Sequence, residues 1–242
     1  MQYIVFSDIH GNVQALEKII EEIETIRPDI VVSLGDVVGY GASPADCIDI
    51  VQDYAHLRIG GNHDLAAVGL TESDDFNVMA KRAIAWTSNN LSSKHRHILE
   101  NYDSLRRYGQ CLFTHASPVS PLNWDYIYTV KQARTIFEKC TEKYIFIGHT
   151  HIPAIITYNE SNGCKVYPSS IVQVEIGTRY LINVGSVGQP RDGIAAAGFA
   201  LFDAKKKRIS IRRVPYDITS AQEKIRSAGL PESLALRLGT AR

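Results

Sequence analysis

Tyr3-Ile4-Val5-Phe6-Ser7-Asp8-Ile9-His10-Gly11-Asn12 sets an apolar run directly before a polar turn that carries a carboxylate and an imidazole. Residues 3–6 read as a buried strand, since a short apolar run bounded by turn residues suits a sheet covered on both faces. Asn12 then caps a helix running to about Ile26, with Ala15, Leu16, Ile19, Ile20 and Ile23 on one apolar stripe. Arg27-Pro28 stops that helix before a strand at 30–34. Strand, helix and strand in this order build an α/β layered sheet, and they leave Asp8 and His10 beyond the carboxyl end of the first strand.

The same texture continues outward. Ser43 and Pro44 open a second helix, as N-cap and N1, that reaches about Tyr54 ahead of a short strand at 57–59. From Asp64 to about Tyr108 the pattern reads as helical, covering 76–91 and a shorter helix after Ser92 or Ser93, an insertion placed to cap a cleft. A strand at 110–114, a loop with Pro118, Pro121 and Trp124, a helix opened by the capping box Thr129-Val130-Lys131-Gln132, and a strand at 144–147 follow. After about residue 152, turn signals at Asn162-Gly163 and Asp203-Ala204-Lys205 join β-rich segments, which predicts a second, mostly antiparallel sheet. The tail from Asp217 carries two short helical stretches around Gly229 and Pro231. With no repeat, low-complexity tract or linker, residues 1–242 are expected to form one domain of two packed sheets.

Composition narrows the function classes. The 242 residues are 45% hydrophobic, enough for one substantial core, and Lys+Arg equals Asp+Glu at 26 each, so the formal net charge is zero. A neutral chain lacks the electrostatic footprint of a dedicated nucleic-acid or acidic-membrane binder. The start has no basic segment before an apolar run, and no stretch is long enough to span a bilayer. Cys47, Cys111, Cys140 and Cys164 are scattered, a usage that fits reduced thiols and a cytoplasmic location. The run Lys205-Lys206-Lys207-Arg208 follows a turn signal and reads as a solvated hairpin end, and His56, His95 and His97 read as surface or helix residues.

Five of the eight histidines sit just after predicted strands, beside glycine, aspartate or asparagine. The segments are Asp8-Ile9-His10, Gly35-Asp36, Gly60-Gly61-Asn62-His63-Asp64, Thr114-His115 and Gly148-His149-Thr150-His151. Loops beyond the carboxyl ends of strands converge in an open α/β sheet, so these residues can meet. Imidazoles, carboxylates and a carboxamide without thiolate suit manganese, iron or zinc and argue against copper(I) or iron–sulfur clusters. Asp36 is central enough to bridge two ions, and two ions about 3.5–4 Å apart can share a hydroxide and clamp an in-line displacement at phosphorus.

In order and spacing, the five segments resemble the calcineurin-like metallophosphoesterase superfamily. That resemblance implies a fold of two packed mixed sheets flanked by helices, a four-layer α-β-β-α sandwich. It implies that Asp8, His10, Asp36 and His151 hold one metal and that Asp36, Asn62, His115 and His149 hold a second. Manganese and iron are the favoured ions, with zinc and nickel also accommodated. His63 is left to protonate the leaving group, with Asp64 steering it.

The protein-serine/threonine phosphatase branch usually reads Gly-Asp-x-Val-Asp-Arg-Gly, where this chain has Gly35-Asp36-Val37-Val38-Gly39-Tyr40-Gly41. The phosphate-gripping arginine must therefore come from elsewhere, with Arg191 the best candidate, while Tyr40 can donate a hydrogen bond or stack on a base. The run Asn183-Val184-Gly185-Ser186-Val187-Gly188-Gln189-Pro190-Arg191 reads either as a phosphate-facing loop offering Ser186 or as a structural turn. Trp124, Tyr126 and Tyr128 either floor a nucleoside pocket or anchor a loop.

Compact prokaryotic members of the superfamily are the nearest in pattern, and they include phosphodiesterases and symmetrical dinucleoside tetraphosphate hydrolases. The expected activity is thus hydrolysis of a small phosphate ester or anhydride, a nucleotide-type diester or a dinucleoside polyphosphate. Its rivals are a broad phosphomonoesterase with protein phosphatase activity, a nuclease, and a non-catalytic scaffold of the same fold. Retention of every metal position and of His63 counts against the scaffold, and neutral charge counts against the nuclease.

Overall fold

The computed structural model describes residues 1–167 and 170–242. The chain runs β1 (Gln2–Phe6), α1 (Val13–Ile26), β2 (Ile30–Ser33), α2 (Pro44–Tyr54), β3 (Leu57–Arg58), α3 (Asn62–Ala67), α4 (Val78–Asn90), α5 (Ser93–Glu100), β4 (Leu105–Tyr108), β5 (Cys111–Thr114), α6 (Val130–Lys139) and β6 (Tyr144–Ile147). It continues as β7 (Ala154–Asn159), β8 (Gly163–Tyr167), β9 (Ile171–Gln173), β10 (Arg179–Asn183), β11 (Ala197–Asp203), β12 (Arg208–Val214), α7 (Ile218–Ser227) and α8 (Glu232–Thr240).

Two mixed sheets result, ordered β3-β2-β1-β11-β12-β9 and β4-β5-β6-β10-β7-β8. Side-chain alternation along a strand explains how they stack. Tyr3 and Val5 of β1 join Phe113, Phe146, Tyr180, Ile182 and Phe202 in a core between the sheets. Ile4 and Phe6 point the other way, onto Leu16 and Ile19 of α1, Ile48 of α2 and Leu234 and Leu238 of α8. On the far face of the second sheet, Leu112, Ile145 and Leu181 pack against Ala133, Ile136 and Phe137 of α6. The layering is helix, sheet, sheet, helix, as the resemblance implied.

Local signals account for most element ends. The Asn12 side chain accepts from Ala15 N, and Thr129 and Gln132 close the expected capping box. Pro44 starts α2, although the Ser43 side chain makes no capping bond. Lys205, Lys206 and Lys207 lie exposed at the β11–β12 turn.

Two expectations need correction. The helical reading of 64–108 ends too late, because Leu105–Tyr108 turns at Gly109 and pairs antiparallel with β5 as the sheet edge. The strands after residue 152 do not form a sheet of their own. β7, β8 and β10 extend the β6 sheet, with β10 parallel to β6, while β11 pairs antiparallel with β1 and carries β12 and β9 with it. The cause is burial: every residue of β11 is buried, and a strand apolar on both faces must be central in a sheet.

Candidate metal centre

The loops that leave β1, β2, β3, β5 and β6 open toward the same end of the two sheets and bring the seven expected ligands together. Asp8, His10, Asp36, Asn62, His115, His149 and His151 are all buried, none above 6% exposed. Polar groups hidden to that degree need partners, yet Asp8 Oδ1 and Asn62 Oδ1 have none. Donor atoms of Asp8, His10 and His151 lie within 4.8 Å of one another, as do those of Asp36, His115 and His149. Asp36 ties the two groups, its Oδ2 lying 3.6 Å from His10 Nε2 and 3.3 Å from His115 Nε2.

Backbone carbonyls set the ring tautomers. His10 Nδ1 donates to Val38 O at 3.1 Å, His115 Nδ1 to Leu34 O at 2.9 Å, His151 Nδ1 to Gln189 O at 2.6 Å and His149 Nε2 to Trp124 O at 2.8 Å. In the neutral ring the other nitrogen then carries a lone pair. His10 Nε2 and His151 Nε2 face each other at 3.1 Å, and so do His115 Nε2 and His149 Nδ1. Paired lone pairs beside buried carboxylates repel unless a cation or a proton lies between them. This donor set fits a pair of metal ions, and the anchoring of each imidazole to a carbonyl is the support that metal-ligating histidines generally have.

Titration behaviour points the same way. Burial drives Asp8 up to about 7 and, with the Asp36 charge, Asp64 to about 7. Burial pulls His115 down, but Asp36 and Asp8 outweigh it and raise the ring to about 9. His10 and His151 are held well below the usual range by burial, and His149 falls to about 3 for the same reason and through the neighbouring His115. A metal held by Asp8 and His115 would have to displace their protons, so its apparent affinity would fall as pH drops through these values. Mn2+ binding by calorimetry is expected to weaken at least about a hundredfold from pH 8 to pH 6, with net proton release on binding. Equal affinity at the two pH values would exclude these groups as ligands.

The site also holds strained backbone. Asp8, His10, Asp36, His149 and His151 have φ between 51° and 67°, a left-handed region costing non-glycine residues roughly 1 kcal/mol or more each. Two glycines make room beside them. A Cβ on Gly61 would stand 2.1 Å from Asp36 Oδ1, and one on Gly39, at φ +88°, would stand 2.4 Å from His63 Nδ1. Gly39, where the protein-phosphatase pattern has an acid, therefore lets the His63 ring sit directly over the loop.

His63 is buried, its ring 4.8 Å from His10, 4.6 Å from Tyr40 and 4.6 Å from Phe76. Burial lowers its pKa to about 4, and Nδ1 has no partner. Asp64 does not hydrogen-bond that ring. Its oxygens accept from Val38 N and Gly61 N, so any hold it has on His63 runs through the α3 backbone. Tyr40 packs on His10, and the Arg191 guanidinium lies 5.9 Å from the Tyr40 ring centre. Ser186 is a correction: fully buried, it donates to Asp8 O and accepts from Gln189 N, bracing the loop behind Asp8. Of the two readings of 183–191, Ser186 follows the structural one and Arg191 faces the site.

A cleft of about 290 Å³ is lined by Tyr40, Asn62, His63, Glu72, Phe76, Trp124, Tyr126 and His149. Tyr126 stacks on His149 at 4.0 Å and on Tyr128 at 5.5 Å. Sequence reasoning missed Phe76, which has no signal within the insertion, and Gln189, which lay unremarked in a loop already singled out. No helix among the described residues is long and apolar enough to cross a membrane.

Fold and site together define a two-sheet metallophosphoesterase architecture with a buried histidine–aspartate centre. Residues 1–207 match the calcineurin-like phosphoesterase superfamily domain, and the chain belongs to that superfamily. It is 36% identical over 238 residues to an uncharacterized protein of Methanocaldococcus jannaschii, covering 97% of this chain and 96% of that protein. Among solved structures it resembles a metallophosphoesterase from Sphaerobacter thermophilus, with TM-score 0.87, 36% identity and coverage of 100% and 99% of the two chains. A hypothetical protein from Pyrococcus horikoshii shares the fold at TM-score 0.80 and 18% identity, covering 100% and 98%.

Proposed function

We infer that the chain hydrolyses a small phosphate ester or anhydride of nucleotide type, either a phosphodiester or a dinucleoside polyphosphate. The observation that carries this reading is the double cluster of lone-pair nitrogens and carboxylates joined by Asp36. Asp8, His10, Asp36 and His151 would hold one ion, and Asp36, Asn62, His115 and His149 the other, manganese or iron being best suited to these donors. When bound, such ions supply Lewis acidity toward the phosphoryl oxygens and a water of lowered pKa.

The protein's own groups do the rest. Arg191 neutralises phosphoryl charge, its position tied to a ligand because its backbone N donates to His151 O at 3.2 Å. With its pKa raised from about 4 by the phosphoryl anion beside it, His63 delivers the proton that the departing oxygen takes up as the P–O bond breaks. The aromatic lining from Tyr40, Phe76, Trp124 and Tyr126 supports a base or another flat group as the leaving part. The loop between α3 and α4, through Glu72, Asp75 and Phe76, caps the cleft and sets substrate size. All four thiols are free, which supports the cytoplasmic setting.

Assay of the Mn2+-loaded protein on bis(p-nitrophenyl) phosphate, p-nitrophenyl phosphate and a dinucleoside polyphosphate tests the reading. The diester or the polyphosphate is expected to exceed the monoester in kcat/KM by about tenfold or more. Preference for the monoester would favour a phosphomonoesterase, and no turnover of any would favour a scaffold.

A further inference from the structure

Helix α8 contributes a residue that neither the family match, which ends at residue 207, nor the sequence pattern assigns. Arg237 Nη1 donates to Gln189 Oε1 at 3.1 Å, and the same oxygen accepts from Arg191 Nη2 at 3.0 Å. Two guanidinium groups thus converge on one neutral amide oxygen. Among the described residues, neither lies within 4.0 Å of an Asp or Glu carboxylate. The nearest carboxylate in sequence, Asp192, is engaged by Arg213. Arg191 Nε is buried without any partner, while Arg237 Nε donates to the main-chain oxygen of Arg242 at 3.0 Å.

Holding two like charges together costs free energy, and burial with the neighbouring Arg191 correspondingly lowers the pKa of Arg237. A glutamate at position 189 would relieve that cost, and the chain has glutamine there instead. Paired guanidiniums that share one amide oxygen and have no Asp or Glu partner are a forked donor array suited to phosphate oxygens. Their order relative to the metal centre is also defined. Arg191 is the inner group, bonded through its backbone to His151 and lying against the Tyr40 ring, and Arg237 reaches it from α8 through the shared Gln189 amide oxygen.

We propose that Arg237, carried on α8, works with Arg191 as a clamp for a second phosphoryl group of the substrate, next to the one attacked at the metal centre. The inference rests on the phosphoesterase reading and deepens it. A substrate with adjacent phosphates, a phosphoanhydride, engages both arginines, whereas a simple diester reaches only the inner one. Arg237 is a specificity-determining residue in this scheme and takes no part in bond breaking.

The test measures binding without turnover, so its failure is separable from failure of the hydrolytic reading. Affinities of methylenebisphosphonate and methylphosphonate for the Mn2+-loaded protein, with Mn2+ in excess, are compared by calorimetry. The native protein is expected to prefer the bisphosphonate, and Arg237→Gln to reduce that preference by about tenfold, the scale of a lost charge-assisted contact. Arg237→Lys should restore part of it. Gln189→Glu should abolish it, because the new carboxylate would occupy both guanidiniums while relieving their repulsion and keeping the fold. A preference equal in the native protein, Arg237→Gln and Gln189→Glu, or absent from the native protein, would overturn the proposal.

Discussion

Asp36→Ala is expected to strip both halves of the metal centre and to lower kcat/KM for phosphate-ester hydrolysis by about a thousandfold or more, the equivalent of several kcal/mol of lost transition-state stabilisation. The size of the effect follows from position. Asp36 Oδ2 is the carboxylate oxygen within 3.6 Å of His10 in one group and 3.3 Å of His115 in the other. Its second oxygen accepts from His63 N at 2.9 Å, so the same side chain also seats the start of α3. Despite burial, the imidazoles of His115, His63 and His10 hold its pKa well below the usual carboxylate range, and it is charged whenever a cation arrives. Asp36→Asn keeps the shape and removes the charge, and should retain a folded protein with the same metal loss. Metal analysis per chain, run beside the kinetics, checks both. Two equivalents of metal and native turnover in either variant would end the shared-ligand assignment.

His63→Ala should leave the metal content intact while lowering kcat by about 10²–10⁴-fold, the range for loss of a positioned general acid. His63 sits against His10, Tyr40 and Phe76 at the wall of the cleft, outside the seven residues expected to bind the ions. The discriminating measurement is leaving-group dependence. A nucleoside alkoxide needs a proton to depart and p-nitrophenolate does not, so the loss must be much larger for the natural type of leaving group. An equal loss on both substrates would make His63 a positioning residue only. Native turnover on both would remove it from the reaction.

The chemistry was readable at the level of residue type because each proposed ligand comes from the first few positions after a strand. Asp8 and His10 follow β1, Asp36 follows β2 and His149 and His151 follow β6, with His115 directly after β5. A strand end fixes where the next residues point, so a local pattern carries tertiary information there. The Asn12 cap and the Thr129–Gln132 capping box were legible for the same reason, since donor and acceptor lie within one turn.

Legibility failed where the partner is remote. Leu105–Tyr108 carries apolar and basic residues that suit a helix, and pairing with β5 alone makes it a strand. Ser186 looked fit for phosphate, but the carbonyl of Asp8, which takes up its hydroxyl proton, is 178 residues away in sequence. Asp64 sits beside His63 in the chain, yet its carboxylate is drawn to the backbone amides of Val38 and Gly61.

Residue order was enough to point to the superfamily and the α/β layering and to single out seven candidate donors, because periodicity and strand-end position act over a few residues. Distances among those donors, the tautomer of each imidazole and the meeting of Arg191 with Arg237 arise from long-range packing. They depend on which carbonyl faces each ring and on how α8 closes over the first sheet. Such contacts join segments far apart in the chain, where burial and hydrogen bonding act through space and leave no periodic trace.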